Sequence, residues 1–419
     1  MASPKISEIL AAAQTADDQG EAYNHLLANI KSHTSPANVS ADMKAIADSV
    51  FAHELRPAAQ RNVLDKFIHV LQDFNNQDLW VDVGTYTLQL ISSQQSATFL
   101  DQVFALRKLV ADAHESNDDF LDAAKVLSEI PLDAAQRRTT NDERVAVWVR
   151  IVRNYLEVDD TTAAEAYLNK LKNVIYTVSD PTLNLHFRLS QARIQDSKRE
   201  FLAASHAYHE ISFSPAIAED ERQHTLSQAV RCAILAPAGP LRSRALGRLY
   251  KDDRVPELDE FTMLENMFLD RLIAPAEVDK FAQGLSPHQL ATTADGSTVL
   301  AKAVIEHNLL AASRLYSNIN FDALGALLGL DADRAEDTTA KMIEQGRLVG
   351  RIDQIEEVIW FERGAEASGE KGSGRAEVKV GKEIRRWDVG VQGLAEGVEN
   401  ITNALQREFP DFVAANLVV

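Results

Sequence analysis

Apolar residues recur at helical spacing over the first 280 or so positions, and strand-like alternation is absent between Ile6 and Phe281. Within that stretch a short pattern returns. Segments beginning at Leu121, Thr161 and Phe201 can be superposed, and the alanine pairs Ala123/Ala124, Ala163/Ala164 and Ala203/Ala204 stand 40 residues apart. Each pair opens a helix after a polar turn, namely Asn117-Asp118-Asp119, Asp159-Asp160 and Asp196-Ser197, all residue types that cap helix N-termini. The helix before each turn carries bulky apolar residues, as in Val147, Trp148, Ile151, Tyr155 and Leu156. Small residues on one helix facing large ones on the next permit close packing. A helix pair returning at this period predicts a mostly α chain, with an α-solenoid of TPR-like or HEAT-like helical repeats over residues 1–285.

The pattern changes near Ser286. Asp295-Gly296-Ser297 reads as a turn and N-cap, leading into a helix from Thr298 to about Tyr316 whose buried side is Val299, Ala303, Ile305, Leu309, Leu310 and Leu315. A short helix follows from Phe321 to Leu328, stopped by Gly329, and a second is capped by Asp331 or Asp333 and stopped by Gly346. Leu348 to Phe361 then turns β-like. Helix, turn, helix and hairpin outline a winged helix over 286–363. Residues 364–382 contain five glycines and few large apolar groups, which predicts a flexible insertion.

In the tail, 383–419, Ile384, Trp387, Val391, Leu394, Val398, Ile401 and Leu405 follow alternating spacings of 3 and 4, an a/d seam. Gly390, Gly393 and Gly397 share a second face of the same segment. Each interior glycine costs roughly 0.8–1 kcal/mol against alanine, so the segment reads as one helix of a multi-helix bundle, needing its siblings to be stable.

Composition narrows the reading. Of 419 residues 45% are apolar, enough for a sizeable core divided among several units, and the formal net charge is −19. Between Phe321 and Arg363 ten acids stand against five bases, and the helix that would enter a DNA groove begins Asp331-Ala332-Asp333-Arg334-Ala335-Glu336-Asp337. Its carboxylates would meet a phosphate-lined channel of like charge, so the module predicts protein docking and no nucleic-acid partner. No run reaches the ~18 apolar residues of a membrane span, so no membrane partner is expected. A single cysteine, Cys232, beside Ala233 and Ile234, reads as a buried thiol in a reducing compartment. The N-terminus lacks a signal-peptide pattern.

Chemical motifs fail one by one. His-Glu occurs at His53, His114 and His209, but the fourth residue on is Pro57, Asp118 or Phe213 instead of the second histidine a zinc protease needs. The chain has no His-x-His, no Gly-x-x-x-x-Gly-Lys-Ser/Thr, no Gly-x-Ser-x-Gly, and no Gly-x-Gly-x-x-Gly after a strand. His206 and His209 lie on one repeat helix with no cluster of further ligands. No catalytic, cofactor-binding or metal-binding residue is nominated, and the chain is expected not to be an enzyme.

A solenoid followed by a winged helix resembles the PCI family of scaffold subunits, found in the proteasome lid, the COP9 signalosome and a translation initiation factor. The residues that carry the resemblance run from about 100 to 363. They include Pro287-His288-Gln289, Ala291 to Ser297, Ala303 to Leu310, Asn318-Ile319, Leu324 to Leu328 and Ile352 to Ile355. Earlier pieces agree, among them Ile130-Pro131-Leu132, Glu165-Ala166-Tyr167, Arg242-Ser243-Arg244 and Leu269-Asp270-Arg271. The segment 287–310 is most similar to the signalosome branch and speaks against the lid. One departure is the wing turn, where Glu356-Glu357 replaces the Asp-Gly usual in the family, so a longer or different hairpin tip is expected.

The resemblance implies a non-catalytic role in the cytoplasm and nucleus. In such an assembly a separate MPN-type subunit, a zinc isopeptidase, removes the ubiquitin-like protein NEDD8 from cullin–RING ligases. The implied partners are the other PCI and MPN subunits, met through the winged helix and the C-terminal bundle, and the neddylated cullin–RING ligase, met by the solenoid arm. A lid scaffold and, from another class, a winged-helix nucleic-acid regulator are the competing readings. Limited proteolysis is expected to cut first within 364–382 and leave the repeats and winged helix resistant. An early cut inside 287–310 would contradict that boundary.

Overall fold

The computed structural model describes residues 3–412 except 16–17, 37, 53–54, 94–97, 133–138, 293–295, 363–373 and 411, with the backbone alone at 374–386, 388 and 389. The chain forms two compact units, Met1–Ser197 and Lys198–Val419. The first contains α1 (Pro4–Gln14), α2 (Gln19–Ala28), α3 (Ile30–His33), α4 (Val39–Ala52), α5 (Pro57–Asp73), α6 (Gln77–Ser93), α7 (Leu100–Ser116), α8 (Phe120–Ser128), α9 (Asn141–Glu157), α10 (Thr161–Lys172) and α11 (Pro181–Ser197). The second begins with α12 (Phe201–Ile211), α13 (Glu219–Leu235), α14 (Pro240–Tyr250), α15 (Phe261–Phe268) and α16 (Pro275–Ala282). It continues with α17 (Val299–Leu315), β1 (Asn318–Asn320), α18 (Phe321–Leu328), α19 (Ala332–Glu344), β2 (Gly350–Asp353), β3 (Val358–Phe361) and α20 (Gly374–Glu408).

The repeat is written in the backbone more fully than in the side chains. Asn75, Asp118, Asp159 and Arg199 all have positive φ, from 46° to 64°, and they fall in the turns after α5, α7, α9 and α11. Asparagine and aspartate tolerate this left-handed conformation better than other non-glycine residues. It lets the chain reverse in two or three residues and still satisfy the last helical carbonyls. Asp119 N–H donates to the His114 carbonyl at 2.9 Å, and Asp160 N–H to the Tyr155 carbonyl at 3.0 Å, closing α7 and α9 in the same way.

The alanine pairs pack through their second members. Ala124, Ala164 and Ala204 are all fully buried; of the first members Ala123 is buried too, Ala163 half-buried and Ala203 exposed. Gly84 of α6 stands at the same 40-residue interval before Ala124, and a Cβ there would lie 2.4 Å from Cγ2 of Val110 on α7. The repeat therefore begins one unit earlier than the alanines indicate, with glycine in the close-contact position. On α9, Val147, Ile151 and Leu156 are buried, and Tyr155 stacks on Tyr167 of α10 at 6.2 Å between ring centroids.

Two of the sequence expectations for the turns need correction. Asp196 and Ser197 are not caps: they complete α11, and the turn is Lys198-Arg199-Glu200. Asp119 makes no side-chain cap bond, while Asp160 accepts from Ala163 N–H at 3.0 Å.

The winged helix follows local turn chemistry closely. Asn320 caps α18, accepting from Ala323 N–H at 2.8 Å, and Gly329 ends it at φ 70°. Asp331 caps α19, accepting from Arg334 N–H at 2.8 Å, and Gly346 follows at φ 68°. The α18–α19 turn is tight because residue 325 is glycine: a Cβ there would sit 2.8 Å from the Leu330 carbonyl oxygen. The sheet is antiparallel with order β1-β3-β2, pairing Ile319 with Ile359 and Ile352 with Ile359. The sequence pattern does not predict strand β1, since its three residues show no alternation of their own. The wing has a four-residue tip, Gln354 to Glu357, between the paired Asp353 and Val358. Asp353 Oδ1 accepts from Ile355 N–H at 3.1 Å and Glu356 N–H at 3.2 Å, and Glu357 takes φ 54°. An aspartate turn thus does the work of the missing glycine.

The cap of α17 is Thr298, accepting from Ala301 N–H at 3.1 Å; Asp295 lies outside the described residues. Leu315 is not on the buried side: it ends the helix and is 64% exposed. The expected insertion 364–382 falls largely outside the described residues, and helical backbone begins at Gly374.

If the left-handed turns set the repeat, stability at Asp159 should follow backbone tolerance. Asp159→Gly is expected to match or exceed the wild type, and Asp159→Val to fall about 1–2 kcal/mol below the glycine variant in urea unfolding. Equal stability of the two variants would contradict this.

Candidate functional site

The second unit is organised around three consecutive polar residues in the middle of α17. Glu306, His307 and Asn308 are 3%, 1% and 6% exposed. Successive helical residues point about 100° apart, so a run of three buried residues means that α17 is covered on most of its circumference. Each side chain meets a different segment. Glu306 accepts from the backbone N–H of Ala238 at 3.1 Å and forms a two-point ion pair with Arg347, Nη2 to Oε1 at 2.9 Å and Nη1 to Oε2. Arg347 sits directly after the Gly346 turn that ends α19, and its Nη1 also donates to the Ala238 carbonyl at 3.4 Å. One arginine therefore joins the winged helix to α17 and to the α13–α14 loop.

His307 donates from Nε2 to the Arg271 carbonyl at 2.8 Å. A carbonyl can only accept, so Nε2 carries the proton and Nδ1 accepts from Arg242 Nη2 at 3.4 Å. Arg242, 3% exposed, also donates to the Ala236 carbonyl at 3.2 Å and the Ala303 carbonyl at 3.5 Å. Burial, and then the Arg242 charge, hold the His307 imidazole down to about 4. Burial likewise lowers Arg242 to about 10, so it stays charged at neutral pH beside a neutral histidine. Asn308 closes the set: its Oδ1 accepts from Ile273 N–H at 2.9 Å and its Nδ2 donates to the Ile273 carbonyl at 3.2 Å, mimicking a strand pair for the α15–α16 linker.

This joint can hold segments together but offers no reacting atom. Both ring nitrogens of His307 are engaged, and the two arginines are committed to buried acceptors. Breaking the Glu306–Arg347 pair from one side would strand a buried charge, at a cost of about 3–5 kcal/mol.

The other histidines weighed from the sequence fall elsewhere. His53 lies outside the described residues. His206 is exposed beside Glu210 at 3.5 Å. His209 bonds Asp252 at 3.1 Å, edge-on to Phe213, and burial lowers its pKa. Cys232 is fully buried in α13.

The winged helix and the tail present surfaces of another kind. Asp333, Glu336 and Asp337 of α19 are not buried, which keeps the acidic face in the open. On α20 the seam residues Trp387, Leu394, Val398 and Ile401 are 70%, 71%, 62% and 63% exposed. Covering side chains of this size is worth roughly 1.5–3 kcal/mol each, so the helix carries unused association energy. Around Gly390, Gly393 and Gly397 an added Cβ would meet nothing within 4 Å.

Comparison with known proteins agrees with this layout. Residues 2–220 match the family described as PSMD12/CSN4, N-terminal, and residues 264–363 match the PCI domain. COP9 signalosome complex subunit 4 of Neurospora crassa is 55% identical over 437 aligned positions, covering 100% of this chain and 99% of the relative. The chain belongs to the COP9 signalosome subunit 4 family. The subunit 4 proteins of Emericella nidulans and Arabidopsis thaliana are 46% and 34% identical, covering 96% of this chain and 97% and 98% of those relatives. The PCI match begins within α15 and runs past β3, so the winged helix and the α17 side of the joint lie inside it, Ala238 and Arg242 precede it, and the seam of α20 follows it.

The buried neutral histidine gives the joint a pH signature. His307 binds its proton at about 4 in the folded chain and at about 6.5 once unfolded, so the unfolded state takes up the proton first as pH falls. Its contribution is complete above about pH 6.5 and is lost toward pH 4, roughly 3 kcal/mol in all. His307→Gln, which keeps a donor for the Arg271 carbonyl, should reduce the loss of urea-unfolding free energy between neutral pH and about pH 4.5 by about 2–3 kcal/mol. An unchanged loss would contradict the assignment.

Proposed function

We propose that this chain is a non-catalytic scaffold subunit of the COP9 signalosome. It supports deneddylation of cullin–RING ubiquitin ligases by a separate isopeptidase subunit, and its repeats contact the cullin–RING substrate. The end-to-end similarity to subunit 4 proteins, 100% of this chain against 99% of one relative, carries the reading. The physical layout supports it. The polar joint is built to hold helices and a winged helix in one arrangement, and a row of large apolar side chains stands exposed along α20.

On this reading the winged helix and α20 dock with other PCI and MPN subunits in the cytoplasm and nucleus. The acidic face of α19 opposes duplex binding.

The test is mass spectrometry of the native complex captured through this chain, with deneddylation assayed on the complex and on the chain alone. Signalosome subunits, with activity confined to the complex, are the expected result. Recovery of proteasome-lid subunits, or deneddylation by the purified chain, would overturn the proposal.

A further inference from the structure

Helix α14 carries a stripe of charge that the joint leaves unused. Residues 240–251 hold four bases and no acid, in a chain where acids outnumber bases 62 to 43. Arg242 is committed to the joint. Arg244, Arg248 and Lys251 are exposed and follow spacings of 4 and 3, so they form one row along the helix, about 10 Å long. No ion pair to an acid is formed by any of the three among the described residues. Glu210, on the facing helix α12, lies 3.5 Å from His206.

This row borders a groove of about 730 Å³ between α12 and α14. Its floor is apolar: Leu202 and Ala203 come from α12, Leu241 and Ala245 from α14, and Phe268 from α15. Leu241 is 63% exposed there. Phe268 is fixed from behind by stacking on Tyr250 at 4.5 Å, and Gly247 gives that ring its room, since a Cβ would approach to 3.3 Å. An apolar trough edged by a row of cations has the complementary form of an amphipathic helix with carboxylates along one side and a bulky apolar residue beneath them.

We propose that this groove docks an acidic amphipathic helix of a partner protein, its carboxylates spaced four and three residues apart against Arg244, Arg248 and Lys251, with a leucine-like side chain on Leu241 and Phe268. The inference rests on the groove alone and holds whatever assembly the chain joins. A solvated basic face would not need the exposed leucine, and a bare anion site would not need the apolar floor.

The probe is a fluorescein-labelled helical peptide of about four turns, with glutamates at positions i, i+4 and i+7 and leucines beside them, titrated by anisotropy against the full chain. Saturable binding is expected, at least tenfold weaker when the glutamates become glutamines or the leucines become serines, and weaker as salt rises. The triple variant R244E/R248E/K251E should lose at least tenfold, and Lys66→Glu, a reversal on α5, should lose nothing. Ala203→Trp fills the groove without changing charge and should weaken binding by a similar factor, with circular dichroism confirming a folded chain for each variant. Absence of binding, or binding that survives the triple reversal, overturns the proposal. Equal affinity for the leucine and serine peptides, or full competition by inorganic tripolyphosphate, would make the groove a simple anion site and overturn it as well.

Discussion

The second unit depends on one buried carboxylate. Glu306 lies in a helix covered on nearly every side, where an unpaired charge would be intolerable. It is stable there because Arg347 meets it at two points and the Ala238 N–H supplies a third partner. That requirement fixes more than a pair of side chains. Arg347 can reach Glu306 only if α19 ends where it does, at Gly346, and Ala238 can donate only if the α13–α14 loop crosses at that height. His307 and Asn308 extend the same logic to Arg271 and Ile273. Apolar packing alone would let these segments slide, whereas hydrogen bonds with fixed directions do not. The segments these bonds join, from Ala236 to Arg347, all fall in the second unit, whose start after Ser197 lies upstream of residue 285.

Much of this fold was legible in the sequence because its signals are local. The stops at Gly329 and Gly346 and the cap at Asp331 are turn chemistry and can be read residue by residue. The recurrence of Ala124, Ala164 and Ala204 reports small residues at tight helix contacts. The same contact at Gly84 is hidden in the sequence because glycine and alanine answer the same steric demand with different letters. Strand β1 escaped because three residues cannot show a period; its pairing with β3 creates it. Leu315 misled because hydrophobic spacing continues past the point where the helix leaves its core.

The joint was the least legible feature. Glu306, His307 and Asn308 stood out only as part of a family resemblance, since adjacent polar residues on a helix usually face water. Their partners lie 35 to 68 residues away in sequence, so no window of local pattern contains both halves of any bond. Charge balance was more informative about surfaces. The acidic face of α19 was readable directly, and so was the a/d seam of α20, because exposure there needs no partner to define it.

A braced winged helix and an uncovered tail helix divide the second unit into a part finished within itself and a last helix that is not. On the proposed function, α20 acquires its stability from other subunits. Hydrogen–deuterium exchange on residues 387–408 tests it directly, in the purified full chain and in the native complex. The account predicts exchange near the unprotected rate in the chain alone and protection at least a hundredfold greater in the complex, with α17 protected in both. Strong protection of 387–408 in the isolated monomer, or none in the complex, would contradict it.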